Sequence, residues 1–207
     1  MSLTIVYGDI THYEADAIVV PANPRPVTGS GLDRKIYHLA GRNRLLKARK
    51  KVGFIDIGEA AVTDSFDYPK AKYIIHTATP VYKGGQAEED HLLYSCYQKS
   101  LLAACKTECR SILFPVLSSG VMGYPLSKAL AIGCLSCTEF LEDHDMNVMI
   151  VVYDSGEAYR LSEEVNSFMI DNSYAGFDDS SYMEIKERSA YYSEDSEMKQ
   201  AAGIMDS

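Results

Sequence analysis

The chain has 207 residues, of which 46% are hydrophobic, so it can form one domain of ordinary size with a proper core. Its formal net charge of −9 disfavours broad nucleic-acid binding, which needs basic patches. No apolar run approaches the ~18 residues that cross a bilayer, and the N-terminus lacks the pattern of a signal peptide. We therefore expect a cytoplasmic protein with no membrane partner.

Strands and helices alternate over residues 1–170. Apolar runs predict strands at 3–7, 17–20, 59–63, 73–77, 112–114 and 148–153, the second of them ended by Pro21-Ala-Asn-Pro24. Helical spacing covers 32–52 with a break near Gly41, then 88–108, 126–141 after Pro125, and 158–170. This alternation predicts a three-layer α/β fold with a mixed, largely parallel sheet, whose ligands bind beyond the carboxyl ends of the strands.

The composition changes after residue 170. Residues 171–207 hold nine acidic and three basic residues and few aliphatic ones. We interpret them as a flexible acidic tail or linker that follows a single domain over 1–170, although the stub of a further domain would look the same.

Cysteine and histidine do not form a metal pattern. Cys134 and Cys137 have C-x-x-C spacing, but no second ligand pair is visible, and we expect the five cysteines to be buried free thiols. His76 falls inside a predicted strand and is expected to be a hydrogen-bonded core residue. We assign no metal and no cofactor.

Two glycine-rich turns without lysine each follow an apolar run and precede a helical pattern. Such a turn directs backbone N–H groups and the positive end of a helix dipole to one point, which suits an anion. Two turns could hold the two phosphates of a pyrophosphate from opposite sides. The first contains Gly29, Ser30, Gly31 and Leu32, and the second contains Ser118, Ser119, Gly120, Val121, Met122 and Gly123.

Three residues could contact a nucleobase. Asp9 follows the first strand, where it could cap a helix through Thr11 or accept a hydrogen bond from the exocyclic amine of a base. In the second case the N–H group of Ile10 would donate to a ring nitrogen. Tyr153, at the end of the last strand, is either a core aromatic or a residue that stacks on a purine.

Asn23 and Asp33 are candidates for chemistry. Asn23 is either a turn-forming residue or one that fixes a sugar hydroxyl or a water molecule. Asp33 lies in the first turn of the helix after the glycines, where it could stabilise the helix end. Beside bound phosphates its pKa would instead be raised by like charge, and it could serve as a general base.

The order of these motifs over residues 3–170 resembles the macrodomain family. The resemblance rests on Gly8-Asp9-Ile10-Thr11, on Asp16-Ala-Ile-Val-Val-Pro-Ala-Asn23-Pro24 and on Gly29-Ser-Gly-Leu-Asp33. It continues through Gly58-Glu-Ala, Ile74-Ile-His-Thr77 and Phe114-Pro-Val-Leu-Ser-Ser-Gly-Val-Met-Gly-Tyr-Pro125. It implies an α/β/α fold, with residues 1–170 forming a macrodomain of the type that processes Appr-1''-p and binds ADP-ribose.

The resemblance also implies roles for the candidate residues. Asp9 and Ile10 would contact the adenine, Tyr153 would stack near it, and the two turns would enclose the diphosphate. In the MacroD-type branch an Asn and an Asp ten residues apart support ester hydrolysis at the distal ribose, and Asn23 and Asp33 keep this spacing.

The chain departs from the family pattern in several places. Val20 replaces the first amide of Asn-Ala-Ala-Asn, and the run of four glycines reads Thr28-Gly-Ser-Gly31. Arg34 and Tyr37 replace the usual Gly and His, and Met122 stands where an aromatic residue often covers the distal ribose.

Two functions from different classes follow. The first is a hydrolase that removes ADP-ribose from acidic side chains of proteins or deacetylates O-acetyl-ADP-ribose, with Asn23 and Asp33 holding the water. The second is a module that binds ADP-ribose without turnover, an idea favoured by Val20, Arg34 and Tyr37. The partners implied are ADP-ribose or an ADP-ribosylated protein; an RNA-associated role is disfavoured by the acidic balance.

Overall fold

The computed structural model of the protein describes residues 2–85 and 88–153. The helix predicted at 158–170 and the acidic segment 171–207 lie outside these residues. Within the described part of the chain, no helix is long and apolar enough to span a membrane.

Among the described residues, six strands form one mixed sheet in the order β1-β6-β5-β2-β4-β3. Every neighbouring pair is parallel except β3 with β4, which is antiparallel. The strands are β1 (Ser2–Tyr7), β2 (Ala17–Ala22), β3 (Ala60–Asp64), β4 (Tyr73–Ala78), β5 (Ser111–Pro115) and β6 (Asn147–Val152).

Helices cover both faces of this sheet, which confirms the predicted three-layer α/β fold. The pair α1 and α2 packs on one face through Ile36, Tyr37 and Leu45, and the pair α3 and α4 packs on the other. The helices are α1 (Gly31–Leu39), α2 (Arg42–Val52), α3 (Glu89–Lys106) and α4 (Leu126–Asp143), with one turn of 3₁₀ helix at Ile10–His12.

The central strands are continuous apolar runs because they are buried on both faces. In β2, Val19 belongs to the core under α3 and α4, whereas Ile18 and Val20 belong to the core under α1 and α2. The five cysteines are free thiols, and all are buried except Cys105, which is half-buried.

The prediction that Pro21 ends the second strand is wrong. β2 continues through Pro21 to Ala22, paired with β4 as far as Ala78. Its pairing with β5 ends earlier, at Ile18. Proline has no backbone N–H group to donate to a neighbouring strand, and on one side of Pro21 no strand is paired with β2.

His76 is a core residue, as predicted, but only one of its ring nitrogens is hydrogen bonded within the described residues. Its Nε2 atom lies 2.9 Å from the hydroxyl of Thr63, whereas its buried Nδ1 atom has no partner there. Burial, together with the charge of Arg49, lowers the pKa of His76 to about 3, so the ring is neutral.

Candidate ligand-binding site

The sheet brings the candidate residues to one edge. The parallel strands β1, β6 and β2 end there at Tyr7, Val152 and Ala22. Asp9 and Asn23 follow β1 and β2 directly, and the second glycine turn follows β5. Ligands of open α/β sheets bind beyond this edge, so the fold brings the candidate residues from separate segments to the edge where a ligand is expected.

The first glycine turn opens α1, as predicted. Ser30 is the N-cap residue, and Gly31, at φ +54°, is the first residue of the helix. Within the described residues, the backbone N–H groups of Ser30, Gly31 and Leu32 have no hydrogen-bond partner. Free N–H groups at the start of a nine-residue helix attract an anion.

The second glycine turn precedes α4, which begins at Leu126 after Pro125, as predicted. However, Tyr124 and Pro125 separate this turn from the first helical residue, so it does not itself form the helix end. The N–H groups of residues 119–122 nevertheless lack partners in the described chain. An anion held here would be bound by these amide dipoles and not by a helix end.

Hydrogen bonds outside the peptide ladder shape the second turn. Ser118 adopts φ +63°, and its hydroxyl donates to the carbonyl of Pro80 at 3.0 Å. The hydroxyl of Ser119 donates to the carbonyl of Val116 at 2.8 Å. Both serine side chains are thereby held by the protein, which leaves the backbone amides to face a ligand.

A buried cluster supports the same turn from below. The hydroxyl of Tyr124 donates to Asp90 at 2.8 Å, and Lys128 pairs with the second oxygen of that carboxylate at 2.8 Å. The N–H group of Tyr82 donates to the carbonyl of Met122 at 2.9 Å. The turn is therefore fixed on α3 and α4, although the side chain of Val121 is 84% exposed.

Asp9 is both a helix cap and a surface carboxylate. One oxygen accepts hydrogen bonds from the N–H group and hydroxyl of Thr11, at 3.0 and 2.7 Å, and the other pairs with Lys35. Partial burial raises the pKa of Asp9, but the bonds from Lys35 and Thr11 outweigh it and lower the pKa to about 2. The N–H group of the buried Ile10 has no partner among the described residues.

Tyr153 is 71% exposed, so the alternative of a core aromatic is wrong. Tyr153 follows the end of β6, which pairs with β1, the strand that Asp9 and Ile10 follow. An exposed aromatic ring at this position is free to stack on a planar group.

Asn23 is exposed, and half of its amide is committed to a turn. Its side-chain oxygen accepts a hydrogen bond from the N–H group of Arg25 at 2.9 Å. The turn-forming interpretation is therefore right. The amide NH₂ group is left to donate to a ligand or to water.

Asp33 is 3% exposed and reaches back from the first turn of α1 to accept a hydrogen bond from the N–H group of Gly29. It thus stabilises the helix end. Burial raises its pKa to about 6, against the opposing effects of that hydrogen bond and of Arg49. The sequence predicts a raised pKa from the like charge of bound phosphates, whereas the rise in this structure comes from burial.

Arg49 was not among the predicted site residues. Its guanidinium is 1% exposed and donates at 3.1 Å to the carbonyls of both Asn23 and Pro24, and also to Gly53. The signal was present in the sequence: Arg49 stands four residues after the buried Leu45, on the apolar stripe of a helix whose other basic residues are exposed.

Comparison with known proteins identifies the family. A sequence model described as Macro domain matches residues 19–133, which is more than half of the chain. The chain belongs to the macrodomain family.

Relatives with a named activity or a bound ligand show which members of the family this chain is similar to. The O-acetyl-ADP-ribose deacetylase of Escherichia coli (strain K12) is 38% identical over 160 residues, covering 75% of this chain and 90% of that protein. A variant of the Oceanobacillus iheyensis macrodomain, solved with ADPR, is 34% identical with a TM-score of 0.72, covering 82% of this chain and 94% of that one. The Trypanosoma brucei macrodomain in complex with ADP-ribose is 31% identical with a TM-score of 0.70, covering 79% and 68%.

Proposed function

We propose that this macrodomain binds ADP-ribose between its two glycine turns and hydrolyses esters of the distal ribose. The observation that carries the proposal is the buried Asp33, whose pKa of about 6 suits a general base near neutral pH, at the base of a turn with free backbone amides. The names and ligands of the relatives support the same choice.

The ligand would lie along the carboxyl edge of the sheet. Asp9, Ile10 and Tyr153 would hold the adenine end, and the free amides of the two turns would enclose the diphosphate. Since Lys35 occupies one oxygen of Asp9 in the unliganded protein, an adenine amine would compete with an exposed ion pair, which costs little to break.

The reaction would use Asn23 and Asp33 on one water molecule. Asp33 in its ionised form takes a proton from the water, whose oxygen attacks the acyl carbon of the ester. The tetrahedral intermediate collapses, the acyl–oxygen bond to the ribose breaks, and Asp33 returns the proton to the ribose oxygen. The amide of Asn23 would orient the water, and turn amides would stabilise the oxyanion.

A second candidate, a module that binds ADP-ribose without turnover, has a specific observation in its favour. Both proposed catalytic side chains already make structural hydrogen bonds, Asn23 to the N–H group of Arg25 and Asp33 to that of Gly29. A binding module would keep these bonds for the shape of the turn alone.

A binding titration followed by an assay of ester hydrolysis distinguishes the two candidate functions. Calorimetry with ADP-ribose tests binding, which both candidates require. Incubation with O-acetyl-ADP-ribose, and separately with a protein carrying ADP-ribose on Asp or Glu, tests turnover and identifies the leaving group. Saturable binding without product from either ester would favour the binding module.

A further inference from the structure

Arg49 is a buried cation with an unusual set of partners. Within the described residues no carboxylate lies within ion-pair distance of its guanidinium, which is satisfied by three backbone carbonyls. Burying a charge costs several kcal/mol unless an opposite charge offsets it. The exposed lysines of the same helix, Lys47, Lys50 and Lys51, avoid that cost.

The charges that face Arg49 come from the elements packed around it. Asp33 and Tyr37, one turn apart on α1, both favour its charged form, and burial opposes it, so that its pKa is lowered overall. His76 on β4 lies with its ring 6.4 Å from that of Tyr37 and is neutral. Asp33 is therefore the one acidic group in this set that is ionised near neutral pH.

We propose that Arg49 is a positioning residue of the site, which fixes the backbone at Asn23 and Pro24 through its buried guanidinium. This role is geometric, because two carbonyls from the segment after β2 are held at 3.1 Å by a single nitrogen of one rigid guanidinium. A supporting role is electrostatic: the charge of Arg49 lowers the pKa of Asp33, against the larger effect of burial, and it bears on the proposed function only in so far as Asp33 is the base.

The electrostatic role has a direct consequence. Without a positive charge at position 49, only the hydrogen bond from Gly29 would oppose the effect of burial, and the pKa of Asp33 would rise further. A larger fraction of Asp33 would then be protonated near neutral pH, and a protonated carboxyl cannot accept a proton from water. Two more negative charges, on a bound diphosphate, would add to the same effect.

The test measures the titration of the Asp33 carboxyl by carbon-13 NMR in the unliganded protein, so it does not depend on turnover. Arg49→Met should move the midpoint upward, because the removed charge favours the ionised carboxylate. Arg49→Lys, which keeps the charge but not the two-carbonyl geometry, should restore the midpoint and still weaken ADP-ribose binding. Lys50→Met, which removes an exposed charge from the same helix, should change neither.

Thermal melting of each variant identifies loss of fold, and Arg49→Lys keeps the test decisive if Arg49→Met does not fold. An unchanged midpoint in Arg49→Met would overturn the electrostatic role, as would an Arg49→Lys midpoint raised as far as that of Arg49→Met. Full ADP-ribose affinity in Arg49→Lys would overturn the geometric role. If the wild-type protein turns over no ester, the proposed function fails while these titrations still decide the role of Arg49.

Discussion

Asp33 shows most clearly how the environment of one residue couples stability to pH. Burial raises its pKa from 3.8 to about 6, so the ionised form is disfavoured in the folded protein. The contribution of Asp33 to the free energy of unfolding is therefore fully present below pH 4 and is lost as the pH rises through about 6. The fold gives up stability at neutral pH to keep a carboxylate at this position.

Asp33→Asn should raise the melting temperature at pH 7.5, because the amide oxygen can still accept the hydrogen bond from Gly29 and position 33 no longer carries a buried negative charge. We expect a gain of about 2 kcal/mol at pH 7.5 and almost none at pH 4. Calorimetric melts at the two pH values measure it. An equal gain at both would show that the effect is not due to ionisation.

Asp9→Ala should weaken ADP-ribose binding much more than binding of ribose 5-phosphate, because the lost acceptor serves the base. A loss of about 1–3 kcal/mol is expected for an unpaired partner in a desolvated site. The matched control is Lys35→Met, which removes the ion pair of Asp9 and leaves the acceptor. Equal losses for the two ligands in Asp9→Ala would show that Asp9 only caps the 3₁₀ turn through Thr11.

The two glycine turns achieve similar backbone exposure in different ways. The first uses the start of α1, and the second is a loop held by the hydroxyls of Ser118 and Ser119 and by the Tyr124–Asp90 bond. A helix end carries its own dipole, whereas a loop must be anchored by neighbours. The second turn should therefore be the one more sensitive to mutations beneath it.

Gly120→Val should abolish ADP-ribose binding and leave the melting temperature nearly unchanged. A Cβ atom at Gly120 would meet no atom within 4 Å, and the backbone there is not in the left-handed region, so the fold tolerates a side chain. The branched side chain would instead occupy the space where backbone approaches phosphate. Calorimetry and melting measure the two effects, with Gly120→Ala as the smaller control; retained affinity in Gly120→Val would mean that the turn does not face the ligand.

Most elements could be predicted from the sequence because their apolar residues recur with the period of a strand or a helix. The exceptions have local causes. β2 passes through Pro21 because the strand on one side has already separated, which only the sheet register reveals. The 3₁₀ turn at Ile10–His12 is too short to show a period.

The position of most candidate residues at one edge of the sheet could be predicted from the sequence, whereas Arg49 and the contacts between these residues could not. Glycine turns and polar residues at strand ends can be read from the sequence, and the sheet order brings them together. Asp9 pairs with Lys35, and Arg49 donates to the carbonyls of Asn23 and Pro24. Each of these contacts joins residues about 25 positions apart and depends on the packing of α1 and α2. No local pattern encodes such contacts.

At the scale of the whole molecule, charge is unevenly distributed. Residues 1–153 hold 16 acidic and 16 basic residues, so residues 154–207 carry the entire net charge of −9. Residues 31–53, which lie in the neutral part, hold eight of the 20 Lys and Arg residues of the whole chain and a single acidic residue, Asp33. The acidic balance of the chain thus says little about the surface of α1 and α2.

Deleting residues 173–207 should change neither the melting temperature nor the affinity for ADP-ribose, because that segment is acidic and poor in aliphatic residues. Side-by-side melts and calorimetric titrations of the full and shortened chains measure both quantities. A drop of several degrees would mean that the segment packs on the domain and that the boundary near residue 170 is wrong.

The measurement that tests the central claim most directly is release of ADP-ribose from an aspartyl or glutamyl ester, and of acetate from O-acetyl-ADP-ribose, by the wild-type protein and by Asp33→Ala. We predict turnover by the wild type and a loss of about 10²–10⁴-fold in the variant, the usual contribution of a positioned acid–base group. ADP-ribose affinity should change little, since the lost carboxylate repels the phosphates as well as holding the water. Wild-type protein at micromolar concentration that releases no product from either ester over hours would contradict the account.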